Sequence, residues 1–215
     1  MIAIAGGKGG CGKTTTALGV ARSLADAGGR PLVVDADCDM PNLHTMGETG
    51  RRPGLGAVTS GDPVEPCIHR SRAVPGVDIL PAGEASGAAA ESALCRLRDR
   101  PETVLLDCPA GATDGVAAPL RAADGALVVS TANRESLADA AKTARMASAL
   151  GTAVLGGVVT RVDDDTAPKL VSGGPLREEC RVLATVPETP GGPLSSRVGR
   201  ASYDRVVQAL QRRNI

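Results

Sequence analysis

The sequence predicts an α/β fold: a mostly parallel twisted sheet with helices on both faces, in one domain over residues 1–215. Three observations point there. Short runs such as Leu32-Val33-Val34 and Val104-Leu105-Leu106 are too short and too branched for helices and read as fully buried strands. These runs alternate along the chain with longer segments of helical periodicity, and strands separated by helices call for parallel pairing. A glycine-rich stretch from Gly6 to Thr15 lies between the first strand pattern and the first helical one. The length of 215 residues suits a single core.

Taken in order, Ile2-Ala3-Ile4-Ala5 is the first strand, and Thr14 to Ala27 is a helix with Leu18, Ala21, Leu24 and Ala25 on one face. Gly28-Gly29 closes it. Leu32 to Val34 then delivers Asp35-Ala36-Asp37 to the carboxyl edge of the sheet, where ligands collect in open α/β folds. Between Cys38 and Ala73 the pattern is weak. It is irregular at Met40-Pro41-Asn42-Leu43, turns at Arg51-Arg52-Pro53-Gly54 and shows a short helical piece at Leu55 to Thr59. Val77 to Leu80 is a strand closed by Pro81 and Gly83, Ala85 to Arg98 a helix, and Val104 to Leu106 a strand ending in Asp107-Cys108-Pro109-Ala110-Gly111. The same alternation gives a helix at Gly115 to Ala123, a strand at Ala126 to Ser130, a helix at Ser136 to Leu150 and a strand at Val154 to Val159. After a loop with Asp163-Asp164-Asp165 come a short helix at Pro175 to Cys180, a strand at Val182 to Val186 and a last helix at Ser202 to Gln211.

Composition narrows the function. Lys plus Arg (24) balances Asp plus Glu (24), so no global basic field recruits nucleic acid. Phe and Trp are absent and Tyr203 is the one aromatic residue, which excludes recognition by rows of stacking rings. The six cysteines (Cys11, Cys38, Cys67, Cys95, Cys108, Cys180) form no C-x-x-C pair, so neither a zinc site nor a disulfide framework is expected. Apolar runs are too short to span a bilayer, and a first strand starting at Ile2 leaves no room for a leader. The expectation is a cytoplasmic protein with reduced thiols.

Gly7 to Thr14 fits G-x-x-x-x-G-K-[ST], the phosphate-binding loop, in the strand-then-helix setting that the motif requires. The glycines let backbone N–H groups and a helix N-terminus converge on an oxyanion. The fold expected is thus that of a single-domain P-loop NTPase. Lys13 would neutralise the β and γ phosphates of a bound nucleotide and the Thr14 hydroxyl would be a ligand of Mg²⁺. Asp107, after an apolar strand, is the expected second metal ligand; Cys108 follows it where many ATPases carry a Glu. Lys8 is a surplus cation that the general motif does not need.

The stretch Lys8-Gly9-Gly10-Cys11-Gly12-Lys13-Thr14-Thr15 matches K-G-G-x-G-K-[ST]-[ST] in full, and the chain resembles the MinD/ParA family of deviant Walker A ATPases from Ile2 to Leu210. The resemblance implies that Lys8 crosses a dimer interface to the phosphates held by the partner subunit, making ATP the link in a homodimer. It implies that Asp37, in Asp35-Ala36-Asp37, orients the attacking water close to Mg²⁺ with Asp35 supporting it, and that Gly111 is the hinge of a switch that responds to the γ-phosphate. Arg161, in Thr160-Arg161, and Pro187, in Pro187-Glu188, are the implied base-flanking residues, with the adenine otherwise held by aliphatic and backbone contacts. The family's role in cell division or spatial positioning, stimulated by a protein partner, comes with it.

The D-x-P-A-G form and Thr160-Arg161 favour the MinD-like branch. A MinD-type membrane helix is not expected, because Val206, Val207 and Leu210 read as a core face with only Arg212-Arg213-Asn214-Ile215 beyond. The alternative is a ParA-type partition ATPase binding DNA non-specifically. From Thr166 to Ile215, eight basic residues (Lys169, Arg177, Arg181, Arg197, Arg200, Arg205, Arg212, Arg213) face four acidic ones (Glu178, Glu179, Glu188, Asp204), a local excess of +4 that suits weak phosphate contacts. Iron–sulfur carriers of the superfamily need bridging cysteines that are missing. Cys11, Cys38 and Cys108 are expected at one edge of the sheet, with the Cys11 thiol acidified by the helix N-terminus and Lys13 so that its oxidation would block ATP binding.

Overall fold

The computed structural model describes residues 1–85, 87–111, 114–163 and 173–213. Its strands are β1 (Ile2–Gly6), β2 (Leu32–Asp35), β3 (His69–Arg70), β4 (Asp78–Leu80), β5 (Val104–Ala110), β6 (Gly125–Thr131), β7 (Ala153–Val162) and β8 (Val182–Pro187). All join one sheet in the order β3-β4-β2-β5-β1-β6-β7-β8. Only the outer pair β3–β4 runs antiparallel. The strand that feeds the glycine loop is therefore central, with β5 on one side and β6 on the other.

Helices α1 (Lys13–Asp26), α2 (Leu43–Met46), α3 (Leu55–Thr59), α4 (Gly87–Cys95), α5 (Asp114–Ala122), α6 (Arg134–Ala149), α7 (Pro175–Glu179) and α8 (Arg197–Gln211), with a 3-10 turn at Glu65–Cys67, complete the described elements. Successive residues of a strand point to opposite faces, and the core divides accordingly. Ile2, Ile4, Val33, Leu105, Leu127 and Val129 pack on the side of α1 and α8. Ala3, Ala5, Leu32, Val34, Val104, Leu106 and Cys108 pack against α3, α4 and α5 on the other. Asp35 and Asp107 follow the parity of Val33 and Leu105, so the strand period alone turns both carboxyls toward the α1 side.

The edges of elements depart from the sequence pattern in three instructive places. β5 continues through Asp107 to Ala110, because its pairing with β1 resumes at Gly6 beyond a register shift. Pro109, which has no N–H to donate, falls in that irregular stretch. Helix α8 starts at Arg197, five residues ahead of the predicted Ser202, because the Ser196 side chain accepts a hydrogen bond from Gly199 N at 2.9 Å and caps it. Neither β3 nor α2, two and four residues long, has enough residues to establish a period. Asp164, Asp165, Lys169, Asn214 and Ile215 lie outside the described residues.

Tyr203 is the largest fully buried side chain, at 1% exposure, and joins α8 to α1. Its ring lies where a Gly19 side chain would project: a Cβ there would come within 2.3 Å of Cδ2. Val206, Val207 and Leu210 fill the same layer, as their spacing predicts. Gly19→Ala is expected to lower stability by up to about 2 kcal/mol, since overpacking a dense core costs roughly 1–3 kcal/mol and the helix-propensity gain of Ala offsets about 1 kcal/mol of it. A urea titration checks this, with a lower midpoint at unchanged slope.

Candidate functional site

The loop between β1 and α1 leaves an anion-binding surface open. Gly12 takes up the N-cap position of α1 in the left-handed region, φ 92°, with no side chain capping the helix. The first-turn N–H groups of α1 are thus left for a ligand. Gly10, φ 73°, makes the preceding turn, and a Cβ on Gly9 or Gly10 would meet only open space. From the side the loop is braced by β7: Thr160 Oγ1 donates to the Cys11 carbonyl at 2.7 Å. The cavity in front measures about 700 Å³, and Gly9, Gly10, Gly12, Lys13, Thr14 and Thr15 form one wall. Lys13 is 8% exposed, so its ammonium lies in a part of the cavity where Coulomb attraction is weakly screened.

The opposite wall is the segment after β2. Asp35 is fully buried, and its two oxygens accept from Asp37 N at 3.2 Å and Leu43 N at 3.1 Å. It therefore shapes the turn. Asp37 lines the cavity, its Oδ1 accepting from Met40 N at 3.0 Å. Thr14 Oγ1 donates to Asn42 Oδ1 at 3.0 Å, tying the start of α1 to this segment. Asp107 pairs in register with Asp35 and with Ile4. Its Oδ1 is buried with no partner among the described residues.

Burial pushes the Asp107 carboxyl up to about 7, with Thr14 and Lys13 pulling the other way and Asp35 and Asp37 adding to the rise. Burial likewise raises Asp35 to about 7, opposed by the N–H groups of Leu43 and Asp37. Two buried carboxyls that resist ionisation side by side, one with an orphaned oxygen, fit a divalent cation. Among the described residues no group of three or more His, Cys, Asp or Glu could hold such an ion alone. Thr14 and Asp107, with Asp37 adjacent, offer a partial set that phosphate oxygens and water would complete.

Arg161 lines this cavity and also a second one of about 170 Å³, where Gly12, Thr15, Thr160, Pro187 and Tyr203 meet. Arg161 and Pro187, predicted to flank one ligand, are thus brought together. Arg161 holds φ 51°, unusual for a residue with a side chain. Gly7, Lys8 and Cys11 lie outside the phosphate cavity's lining. Lys8 is half exposed and paired with Glu135 at 2.9 Å.

Sequence reasoning missed Asn42 as the partner of Thr14 and Thr160 as the brace of the loop. It also missed Tyr203 on the wall of the second cavity, a wall expected to be aliphatic and backbone. The isolated aromatic near the chain's end was the available clue. The cysteine expectation is corrected: Cys11 is buried in the α1-side core, and burial outweighs Lys13 and the loop N–H groups, so its thiol is raised, not acidified. Cys38 and Cys108 pack on the opposite side of the sheet. Burial and then Asp35, Asp39 and Asp37 push Cys38 up to about 11.

An uncapped helix N-terminus facing a buried, unsatisfied carboxylate one strand away is the arrangement of a phosphate-loop nucleotide-binding domain. Residues 2–196 match the CobQ/CobB/MinD/ParA nucleotide binding domain, and the chain belongs to that family. It is 34% identical over 198 residues to an ATP-binding protein of Methanocaldococcus jannaschii, covering 88% of this chain and 74% of that one. The chromosome partitioning protein ParA of Caulobacter vibrioides is 38% identical over 128 residues, 51% of this chain and 47% of that one. Among solved structures, the cell division ATPase MinD of Pyrococcus furiosus superposes with a TM-score of 0.82 at 25% identity, over 98% of each chain. The septum site-determining protein MinD of Pyrococcus horikoshii, complexed with Mg-ADP, shares the fold with a TM-score of 0.86 at 22% identity, over 99% of this chain and 96% of that one. The chain is thus a MinD/ParA-family ATPase, related to cell division and partitioning proteins. No helix among the described residues is long and apolar enough to cross a membrane.

The Asp107 carboxyl titrates near 7 in the fold against 3.8 as its ordinary value, so the folded chain holds more protons between those limits. Stability of the metal-free protein therefore falls as pH rises from about 4 to 7 and stays lower above. Thermal melts of the wild type and Asp107→Asn from pH 5 to 8 check this: the wild type loses stability relative to the variant as pH rises, and Mg²⁺ with ADP stabilises it more at pH 8 than at pH 6.

Proposed function

We propose that the chain is an ATP-dependent dimerisation switch of the MinD type, one domain over residues 1–215, that hydrolyses Mg-ATP slowly in the cytoplasm and acts in cell division or spatial positioning. The observation that supports this most directly is the placement of the two loop lysines. Lys13 is buried at the phosphate cavity, whereas Lys8 stands outside it, its side chain 48% exposed and, among the described residues, ion-paired with Glu135, itself 75% exposed. Exposed ion pairs contribute about 0–1 kcal/mol, so Lys8 is cheaply released. A second copy carrying bound triphosphate offers it a stronger partner.

The remaining residues take their tasks from where they lie. Backbone N–H groups of Gly9, Gly10 and Gly12 to Thr15, at the α1 N-terminus, hold the phosphates, with the Lys13 ammonium beside them. Thr14 and Asp107, with Asp37 nearby, would hold Mg²⁺, which would supply positive charge against the charge that builds on the phosphates. Asp37 positions the attacking water, and Asp35 keeps Asp37 in place by gripping the segment's backbone. Arg161 and Pro187 flank the base beside Tyr203. Gly111, φ 92°, donates to Gly6 O at 3.2 Å, which suits a hinge tied to the loop. Met40, 76% exposed on the segment carrying Asp37, suits contact with an activating protein.

The ParA-like alternative, weak DNA binding by the ATP dimer, draws on the outward residues Arg197, Arg205 and Arg212 of α8 and its end. Arg200 and Arg213 are less available, donating to the carbonyls of Ser195 and Leu155. Sedimentation of the ATP-loaded protein with liposomes and with DNA at two salt concentrations separates the readings. DNA retention that fades with salt supports ParA-type action, lipid pelleting a MinD-type one, and neither a protein partner.

Lys13→Ala is expected to abolish nucleotide binding. Asp37→Ala should bind ATP and dimerise but hydrolyse roughly a hundredfold more slowly, the lower range for loss of a positioned acid–base group. Glu135→Gln, by freeing Lys8, should tighten the ATP dimer up to about fivefold, as a pair of this exposure allows. Light scattering and phosphate release read all three; a wild type that stays monomeric with Mg-ATP would overturn the proposal.

A further inference from the structure

The far wall of the phosphate cavity carries a cation to which the reading above gives no task. The cavity lined by Lys13 and Thr14 continues past Asp37 to His44, Thr45 and Arg51. Arg51 and Arg52 are neighbours in sequence with different surroundings. Arg52 is ion-paired with Glu84, whereas no carboxylate pairs with Arg51 among the described residues. On the same wall, His44 Nδ1 is buried without a hydrogen-bond partner among the described residues.

The loop that presents Arg51 is held at both ends. Ahead of it, Leu43 N donates to Asp35 and Ser71 Oγ donates to Gly47 O at 2.8 Å. Behind it, Leu55 N donates to Pro81 O at 2.7 Å, and the His69 ring bonds Pro53 O at 2.7 Å. Arg51 is therefore offered to the cavity from a fixed position. A guanidinium lining a space that an ammonium also lines is repelled by it unless an anion lies between them, and its fork suits two oxygens of one phosphate.

We propose that Arg51 binds the terminal phosphate of the nucleotide within its own subunit, and is the residue by which this site tells a triphosphate from a diphosphate. The inference rests on the reading of the cavity as a nucleotide site. It differs from the task given to Lys8, which reaches the phosphates of a second copy, because Arg51 lines the cavity of its own chain.

The test is titration of the full chain, with Mg²⁺, by ADP and by a non-hydrolysable ATP analogue, in the wild type, Arg51→Ala, Arg51→Lys and Arg52→Ala. Working below the dimerisation concentration, checked by light scattering, keeps the Lys8 contact out of the reading. Arg51→Ala should weaken the analogue by roughly ten- to a hundredfold, the range of a charge-assisted hydrogen bond, and leave ADP affinity within about twofold. Arg51→Lys should fall between, keeping the charge without the fork, and Arg52→Ala should match the wild type. Equal losses for the two nucleotides in Arg51→Ala, or none, would overturn the inference while the nucleotide site stands. A wild type binding neither nucleotide would overturn both.

Discussion

Two carboxyls lie side by side inside the protein because β2 and β5 run parallel in one register, Asp35 opposite Asp107. The rest of the site is arranged about that pairing. Strand parity turns both toward α1, and the central position of β1 brings the glycine loop over them. Neither has a cationic partner at ion-pair distance among the described residues, so burial holds both near neutrality. In such a place a positive charge is worth far more than at the surface, since desolvation has already been borne by the fold.

The two aspartates nevertheless divide the work. Asp35 spends both oxygens on the backbone of the segment that follows it, so the course of the chain from Asp37 to Leu43 is set from beneath. Asp107 keeps one oxygen unengaged among the described residues. One carboxyl thus builds the wall and the other faces the ligand, although sequence places both at the ends of similar apolar strands. Asn42 closes the arrangement by accepting from Thr14, so a change at the head of α1 is felt directly in the wall opposite.

Much of this was legible in the chain itself. Runs such as Val104-Leu105-Leu106 are unambiguous buried strands, and the glycine loop announces its ligand through Lys13 and Thr14. What escaped has physical reasons. β3 and α2 are shorter than the period that would reveal them. The start of α8 depends on a Ser196 cap, and Ser-Ser pairs are as common in loops. The bracing by Thr160, 149 residues from its acceptor, is a tertiary contact to which no local pattern points. Cys11 shows the opposite hazard: proximity to Lys13 suggested an acidic thiol, and desolvation, a property only of the packed chain, prevailed.

Tyr203 joins the last helix to the first and borders the smaller cavity next to Thr15 and Pro187. As the chain contains no Trp or Phe, every photon of its near-ultraviolet emission originates from that single phenol. The protein thus carries a built-in optical reporter at one location, free of background from other emitting rings, and its quenching would register events at the cavity without any added label.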